Sequence, residues 1–126
     1  MNEKKQTILI VEDEASYRHT LSEKLNMEGF ETLVASDGWE GLFVAKEKHP
    51  DLILLDLKMP KMDGMQMAKS LRQDDWGKTA KIMILTNFPD LNQVKEAVEV
   101  EIFQYIIKSD IKLETLVQKI RDVIKG

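Results

Sequence analysis

Apolar residues gather along the chain in five short runs, TILIV at 7–11, ETLVA at 31–35, LILL at 52–55, IMIL at 82–85 and IFQYII at 102–107. Runs of this length read as strands, and LILL, with no polar alternation, reads as a strand covered on both faces. The segments between them carry apolar residues three and four positions apart, which predicts helices. The first presents Tyr17, Leu21 and Leu25 and ends near Glu28, with Gly29 placed as a C′ residue. A second runs from about Gly38 through Leu42 and Ala45 to Lys48 and is stopped by Pro50. The third begins near Asp63 and carries Met67, Ala68 and Leu71; the fourth runs from about Asp90 through Val94, Ala97 and Val98. The last opens at Ser109 or Asp110 as N-cap and buries Leu113, Leu116, Val117, Ile120 and Ile124.

Five strand–helix units in succession predict a doubly wound α/β domain with a parallel sheet, and such sheets bind ligands beyond the carboxyl ends of their strands. Those ends carry Glu12, Asp13 and Glu14 after strand one, Asp56 after strand three, Thr86 and Asn87 after strand four, and Lys108 after strand five. Each has an ordinary explanation alone: acids opening a helix complement its dipole, Asp56 could cap or turn, and a lysine is usually solvated. Four strands out of five delivering polar groups to one edge is hard to obtain from capping. Two carboxylates about 4 Å apart repel by about 4 kcal/mol at an effective dielectric near 20, a large share of the roughly 5–15 kcal/mol of a domain's stability. A divalent cation is the natural compensator, and oxygen ligands suit Mg²⁺, with Mn²⁺ as a substitute.

Other features carry less. The GKT at 77–79 ends like a phosphate-binding loop, but the first glycine would have to stand where Arg72 does, and a strand follows rather than a helix. The methionines at 59, 62, 65, 67 and 83 read as packing, and His19 and His49 lack a second ligand at metal spacing.

At 126 residues, with Gly and Pro scattered and no linker or repeat, the chain reads as one domain, 1–126. The net charge of −4 argues against direct binding of nucleic acid. No cysteine is present, which excludes thiolate metal sites, and no apolar run approaches the roughly 20 residues that cross a bilayer. A cytoplasmic, membrane-free protein is expected.

ILIVEDE at 8–14, DLKMPKMDG at 56–64, ILTN at 84–87 and YIIK at 105–108, in that order and at those spacings, resemble the receiver domain of bacterial two-component response regulators over essentially the whole chain. The resemblance implies a flavodoxin-like (βα)5 fold with strand order 2-1-3-4-5. It implies phosphorelay signalling in which a sensor histidine kinase, a phosphotransfer protein or a small phosphodonor passes a phosphoryl group to Asp56. It makes Asp13, Asp56 and the backbone carbonyl of Lys58 ligands of Mg²⁺, with Glu12 supporting the metal through water. Thr86 and Lys108 would each hold a phosphoryl oxygen. Thr86 would move inward and Tyr105 turn with it, altering the face of helix four, strand five and helix five towards a downstream protein or a weak dimer. Tyr105 also fits the plainer reading of a half-buried strand aromatic.

The chain departs from the family pattern at two places. The proline usual after the strand-five lysine is Ser109, so a trans bond and a differently set loop are expected. At the end of helix four, where a glycine is usual, stands Glu101, within VEVEIF at 98–103. A glutamate disfavours a left-handed cap, and the alternation of Val98, Val100 and Ile102 suits an extended strand, so this segment is expected to be the least regular. Asn87, Lys58 and Phe88 are further variable positions beside the site. Two rival functions remain open: a degenerate receiver that binds partners without phosphorylation, and a Mg²⁺-dependent aspartyl phosphatase, for which the second acid of a DxD motif is missing because Lys58 stands there. The chain stops one helix after Lys108, which fits a free-standing receiver or one cut from a longer protein.

Overall fold

The computed structural model describes residues 4–87 and 91–126. Five strands, β1 (Thr7–Val11), β2 (Glu31–Ala35), β3 (Leu52–Leu55), β4 (Ile82–Thr86) and β5 (Gln104–Ile107), alternate with α1 (Ala15–Met27), α2 (Gly38–Lys48), α3 (Gly64–Leu71), α4 (Leu91–Glu99) and α5 (Leu113–Lys125). All strand pairs are parallel and the sheet order is β2-β1-β3-β4-β5, as the family resemblance implies.

Successive strand residues point to opposite faces, so each apolar run feeds two cores. Ile8, Ile10, Leu52, Leu54, Met83, Leu85 and Ile106 meet Leu21 and Leu25 of α1 and Leu116, Val117, Ile120 and Val123 of α5. On the other face Leu9, Val11, Ile53, Leu55 and Ile82 meet Ala45 of α2 and Met67, Ala68 and Leu71 of α3. A smaller cluster of Leu57, Met65, Ile84 and Ala97 continues that layer under α4, with Tyr105 packed against it. Met65, Met67 and Met83 are buried, and Met59 and Met62 pack at the margin, so the methionines are core.

Several boundaries differ from the sequence reading. Asp90, expected to open helix four, lies outside the described residues, as does Phe88. The last helix begins at Leu113 with Lys112 at its N-cap, not at Ser109 or Asp110, which lie in a short 3-10 turn, Lys108–Asp110. The cause is Ile111: it packs on the core from extended backbone, so the helix starts only beyond it. Ile124 is only partly buried, and Val123 takes the core position instead. Strand five starts at Gln104 rather than 102.

The segment expected to be irregular is a regular helix cap. Ile102 N–H donates to Ala97 O at 3.0 Å and Glu101 N–H to Val98 O at 3.1 Å, the two bonds of a Schellman motif, with Glu101 left-handed at φ 58. The end of α1 is built the same way, with Phe30 N–H on Leu25 O, Gly29 N–H on Asn26 O, and Gly29 at φ 97. What holds a glutamate in a glycine's conformation is Arg72. Its Nε donates to Val100 O at 2.8 Å and Nη2 to Glu101 O at 3.0 Å, while Nη1 donates to Gly77 O and Ala80 O at 2.6 and 2.8 Å. Charge-assisted bonds of this kind contribute about 1.5–3 kcal/mol each when well formed, enough to outweigh the roughly 1–2 kcal/mol penalty of a left-handed residue with a Cβ. Glu101→Gly is therefore expected to raise stability by about 1 kcal/mol, the left-handed penalty less the entropy glycine adds to the unfolded chain, read as a higher urea midpoint. A midpoint that falls would show that the glutamate is not strained.

Candidate functional site

The register of the sheet brings its carboxyl ends level. Val11 lies opposite both Ala35 and Leu55, and Thr86 opposite Ile107, so the residues one step further on, Glu12, Asp56 and Lys108, emerge at one edge. Backbone bonds carry the alignment past the strands, with Glu12 N–H donating to Ala35 O and Asp56 N–H to Val11 O, both at 3.0 Å. Glu12 and Asp56 are almost fully buried, at 2 % and 7 % exposure, while Asp13 is exposed. Carboxylate oxygens of Glu12, Asp13 and Asp56 lie within 4.8 Å of one another, the only such metal-type group among the described residues.

Lys108 closes the cluster. Its Nζ hydrogen-bonds Glu12 Oε1 and lies 3.4 Å from Asp56 Oδ2, with the side chain only 9 % exposed. The remaining carboxylate oxygens take backbone donors: Leu57 N–H reaches Asp56 Oδ1 at 2.8 Å and Glu14 N–H reaches Glu12 Oε2 at 3.1 Å. The ordinary reading of a helix-start acid therefore holds in part for Glu12, which bonds the residue before α1 with one oxygen and the lysine with the other. Arg18 steadies the same loop through Glu12 O at 2.8 Å.

Burial pushes the Glu12 carboxyl up to about 7, against the Lys108 and Glu14 bonds that favour its charge; the neighbouring Asp56 charge adds to the rise. Burial also works to lower the Lys108 ammonium, but the Glu12 bond and the two carboxylate charges outweigh it and the net shift is upward.

The loop after β3 is drawn tight by α3. Asp63 and Gln66 form a reciprocal capping box, and Gly64 N–H donates to Leu57 O at 2.9 Å. A Cβ on residue 64 would lie 2.1 Å from Asp56 O, so only glycine permits the approach. The result is an open pocket of about 350 Å³ lined by Glu12, Asp13, Glu14, Asp56, Lys58, Asn87 and Lys108. Thr86 is fully buried at the end of β4. Alternation puts it on the face of Ile84, and Tyr105, opposite Ile84 in register, is half-buried on that same face.

Ser109, a departure from the family pattern, is bonded to the variable position Asn87: Ser109 N–H donates to Asn87 Oδ1 at 3.1 Å. The amide exists because residue 109 is not proline, and no peptide bond among the described residues is cis. The other candidates stand apart. His19 pairs with Glu23 at 2.8 Å, His49 stacks on Trp76, and Gly77–Thr79 is a 3-10 turn leading into β4. Sequence reasoning missed the contact of Tyr17, whose ring lies under Lys108 Nζ at 4.6 Å from its centroid; its only signal was an aromatic in the first turn of α1, behind the acids.

A family model described as the response regulator receiver domain matches residues 8–121. The chain is 35 % identical over 126 residues to the sporulation initiation phosphotransferase F of Bacillus subtilis (strain 168), covering 99 % of this chain and 93 % of that protein. It is 36 % identical over 121 residues to the probable transcriptional regulator ycf27 of Porphyridium aerugineum, covering 96 % of this chain and 49 % of that one, so it spans about half of that relative. Among solved structures, the chemotaxis protein CheY4 of Vibrio cholerae superposes with a TM-score of 0.88 at 29 % identity, over 95 % of this chain and 99 % of that one.

The raised Glu12 carboxyl has a thermodynamic consequence. Folded Glu12 holds its proton more tightly than unfolded Glu12, so its contribution is complete below pH about 4.5 and is lost as pH rises to about 7. Metal-free protein is expected to lose on the order of 2 kcal/mol across that window relative to Glu12→Gln, from urea unfolding at pH 4.5, 6 and 7.5. Parallel pH curves for the two proteins would rule the assignment out.

Proposed function

Since the chain belongs to the response regulator receiver domain family, whose members are phosphoacceptor signalling domains and not classical enzymes, we propose that it is a phosphorylation-dependent switch with Asp56 as the phosphoacceptor. The observation that carries this is the buried Glu12–Lys108–Asp56 arrangement, with one Asp56 oxygen anchored by Leu57 N–H and the other turned towards the lysine and the pocket. A nucleophile fixed at one end and open at the other suits in-line displacement, in which positioning and neutralisation of charge are the main requirements. The Asp56 oxygen forms its bond to phosphorus as the donor's P–N or P–O bond breaks, and the leaving group carries away the electron pair and takes up a proton where it needs one.

The donor set fits a hard divalent cation: three carboxylates whose oxygens gather within 4.8 Å, one of them exposed, beside the Lys58 segment of the pocket wall. Mg²⁺, or Mn²⁺ in its place, would be held by Asp13, Asp56 and the Lys58 carbonyl, with Glu12 acting through water, and would supply charge neutralisation for the transferring phosphoryl oxygens. Lys108 then leaves Glu12 for a phosphoryl oxygen, and the Thr86 hydroxyl takes another. In this reading Thr86 and Tyr105, on one face of the sheet, pass the change to α4, β5 and α5, the surface offered to a downstream protein or to a weak dimer. The donor is a sensor histidine kinase, a phosphotransfer protein or a small phosphodonor, and residues 1–126 form a single receiver domain. No described helix is long and apolar enough to cross a membrane, in keeping with action in the cytoplasm. The acid that an aspartyl phosphatase of the DxD type uses is replaced by Lys58, which disfavours that alternative.

Incubation with acetyl phosphate is expected to add one phosphoryl group by intact mass, dependent on Mg²⁺ and abolished in Asp56→Asn. No gain, with a control receiver labelled in parallel, would favour a degenerate receiver or one phosphorylated only by a kinase. In chelator, Asp56→Asn is expected to raise the thermal midpoint by relieving repulsion, and Mg²⁺ to raise that of the wild type. If neither moves the midpoint, the acids do not share a cation.

A further inference from the structure

We infer that Tyr17 is a positioning residue for Lys108: its ring forms the floor on which the ammonium is carried between Glu12, Asp56 and a phosphoryl group. The inference rests on the reading of Asp56 as phosphoacceptor, although its geometric half stands without it.

Lys108 is the first residue of a turn, not part of a strand, so its backbone alone does not fix the direction of its side chain. Three contacts do. Glu12 and Asp56 pull the ammonium from one side, and the Tyr17 ring faces it at 4.6 Å from the centroid. That distance lies within the roughly 6 Å over which a cation is drawn to an aromatic face. The ring is itself held, half-buried and packed against the core cluster that includes Leu21, Leu25 and Leu116. Burial raises the Tyr17 phenol above its usual range, with Lys108 acting in the opposite direction.

The contact differs in kind from the two ion pairs. Phosphorylation requires Lys108 to leave Glu12, and a carboxylate partner resists that departure. A ring face is non-directional over its area and lets the ammonium slide while keeping it out of water. Tyr17 thus keeps the lysine at the pocket during exchange of partners, where an aliphatic side chain would leave it to be solvated. The Asn87–Ser109 bond steadies the backbone of the same turn but does not touch the ammonium.

The test pairs a spectroscopic with a kinetic readout on Tyr17→Phe, Tyr17→Leu and Tyr17→Met. In metal-free wild type the Lys108 ε-methylene protons are expected upfield of the other lysines through the ring current, to stay so in Tyr17→Phe, and to return to the common position in Tyr17→Leu and Tyr17→Met. With acetyl phosphate and Mg²⁺, loss of the ring is expected to slow phosphorylation about fivefold, the equivalent of about 1 kcal/mol, with most of the rate recovered in Tyr17→Phe. Methionine serves as the unbranched, helix-favouring alternative where leucine fails to fold. An unshifted Lys108 signal in the wild type, or equal rates in wild type and both aliphatic variants, would overturn the inference. If the wild type takes up no phosphoryl group from acetyl phosphate, Asp56 is either not a phosphoacceptor or accepts only from a kinase, and the Lys108 resonance still decides whether Tyr17 holds the lysine.

Discussion

Parallel pairing of β1 with β3 sets Glu12 and Asp56 on adjacent strands, one step beyond a dry core, and two buried carboxylates so placed cannot both keep their charge without a partner. Lys108 is that partner in this structure. The sequence reading named a cation as the compensator and had Lys108 favour the charge of Asp56 and hold a phosphoryl oxygen; the geometry adds that the lysine also bonds Glu12. Much of the surrounding architecture follows from that demand. The level strand ends deliver the three groups, the Leu57 and Glu14 amides take the spare oxygens, and Gly64 lets α3 close on the loop.

The compensation is incomplete: two buried acids meet one ammonium, and the Glu12 carboxyl is raised chiefly by burial, with the Asp56 charge adding to it. A site left with excess negative charge has affinity for whatever brings positive charge, and a lysine bonded to two acids can exchange one of them for a new anion. Under the proposed function, the same arrangement would serve both a divalent cation and a phosphoryl group, with Lys108 as the residue they share.

The fold and the acid cluster were legible because they depend on local signals: short apolar runs, helical spacing between them, and polar residues at the run ends. Gly29 announced its cap, and LILL announced a strand covered on both faces. The failures have a common physical origin in contacts between distant segments. Glu101 argued locally against a left-handed cap, but Arg72, at the end of α3, supplies the bonds that hold it there. Ser109 looked like a helix cap, yet its amide is taken by Asn87 and the helix waits for Ile111 to reach the core. Tyr17 showed only as a helix position, since the cation above it comes from the far end of the chain.

Arg72 binds the carbonyls of Val100 and Glu101 with one edge of its guanidinium and those of Gly77 and Ala80 with Nη1. It thereby rivets the carboxyl end of α4 to the segment that leads into β4. One planar guanidinium thus acts as a template: it sets the spacing between the two segments by reading four carbonyls at once, which no single pairwise bond between them would do.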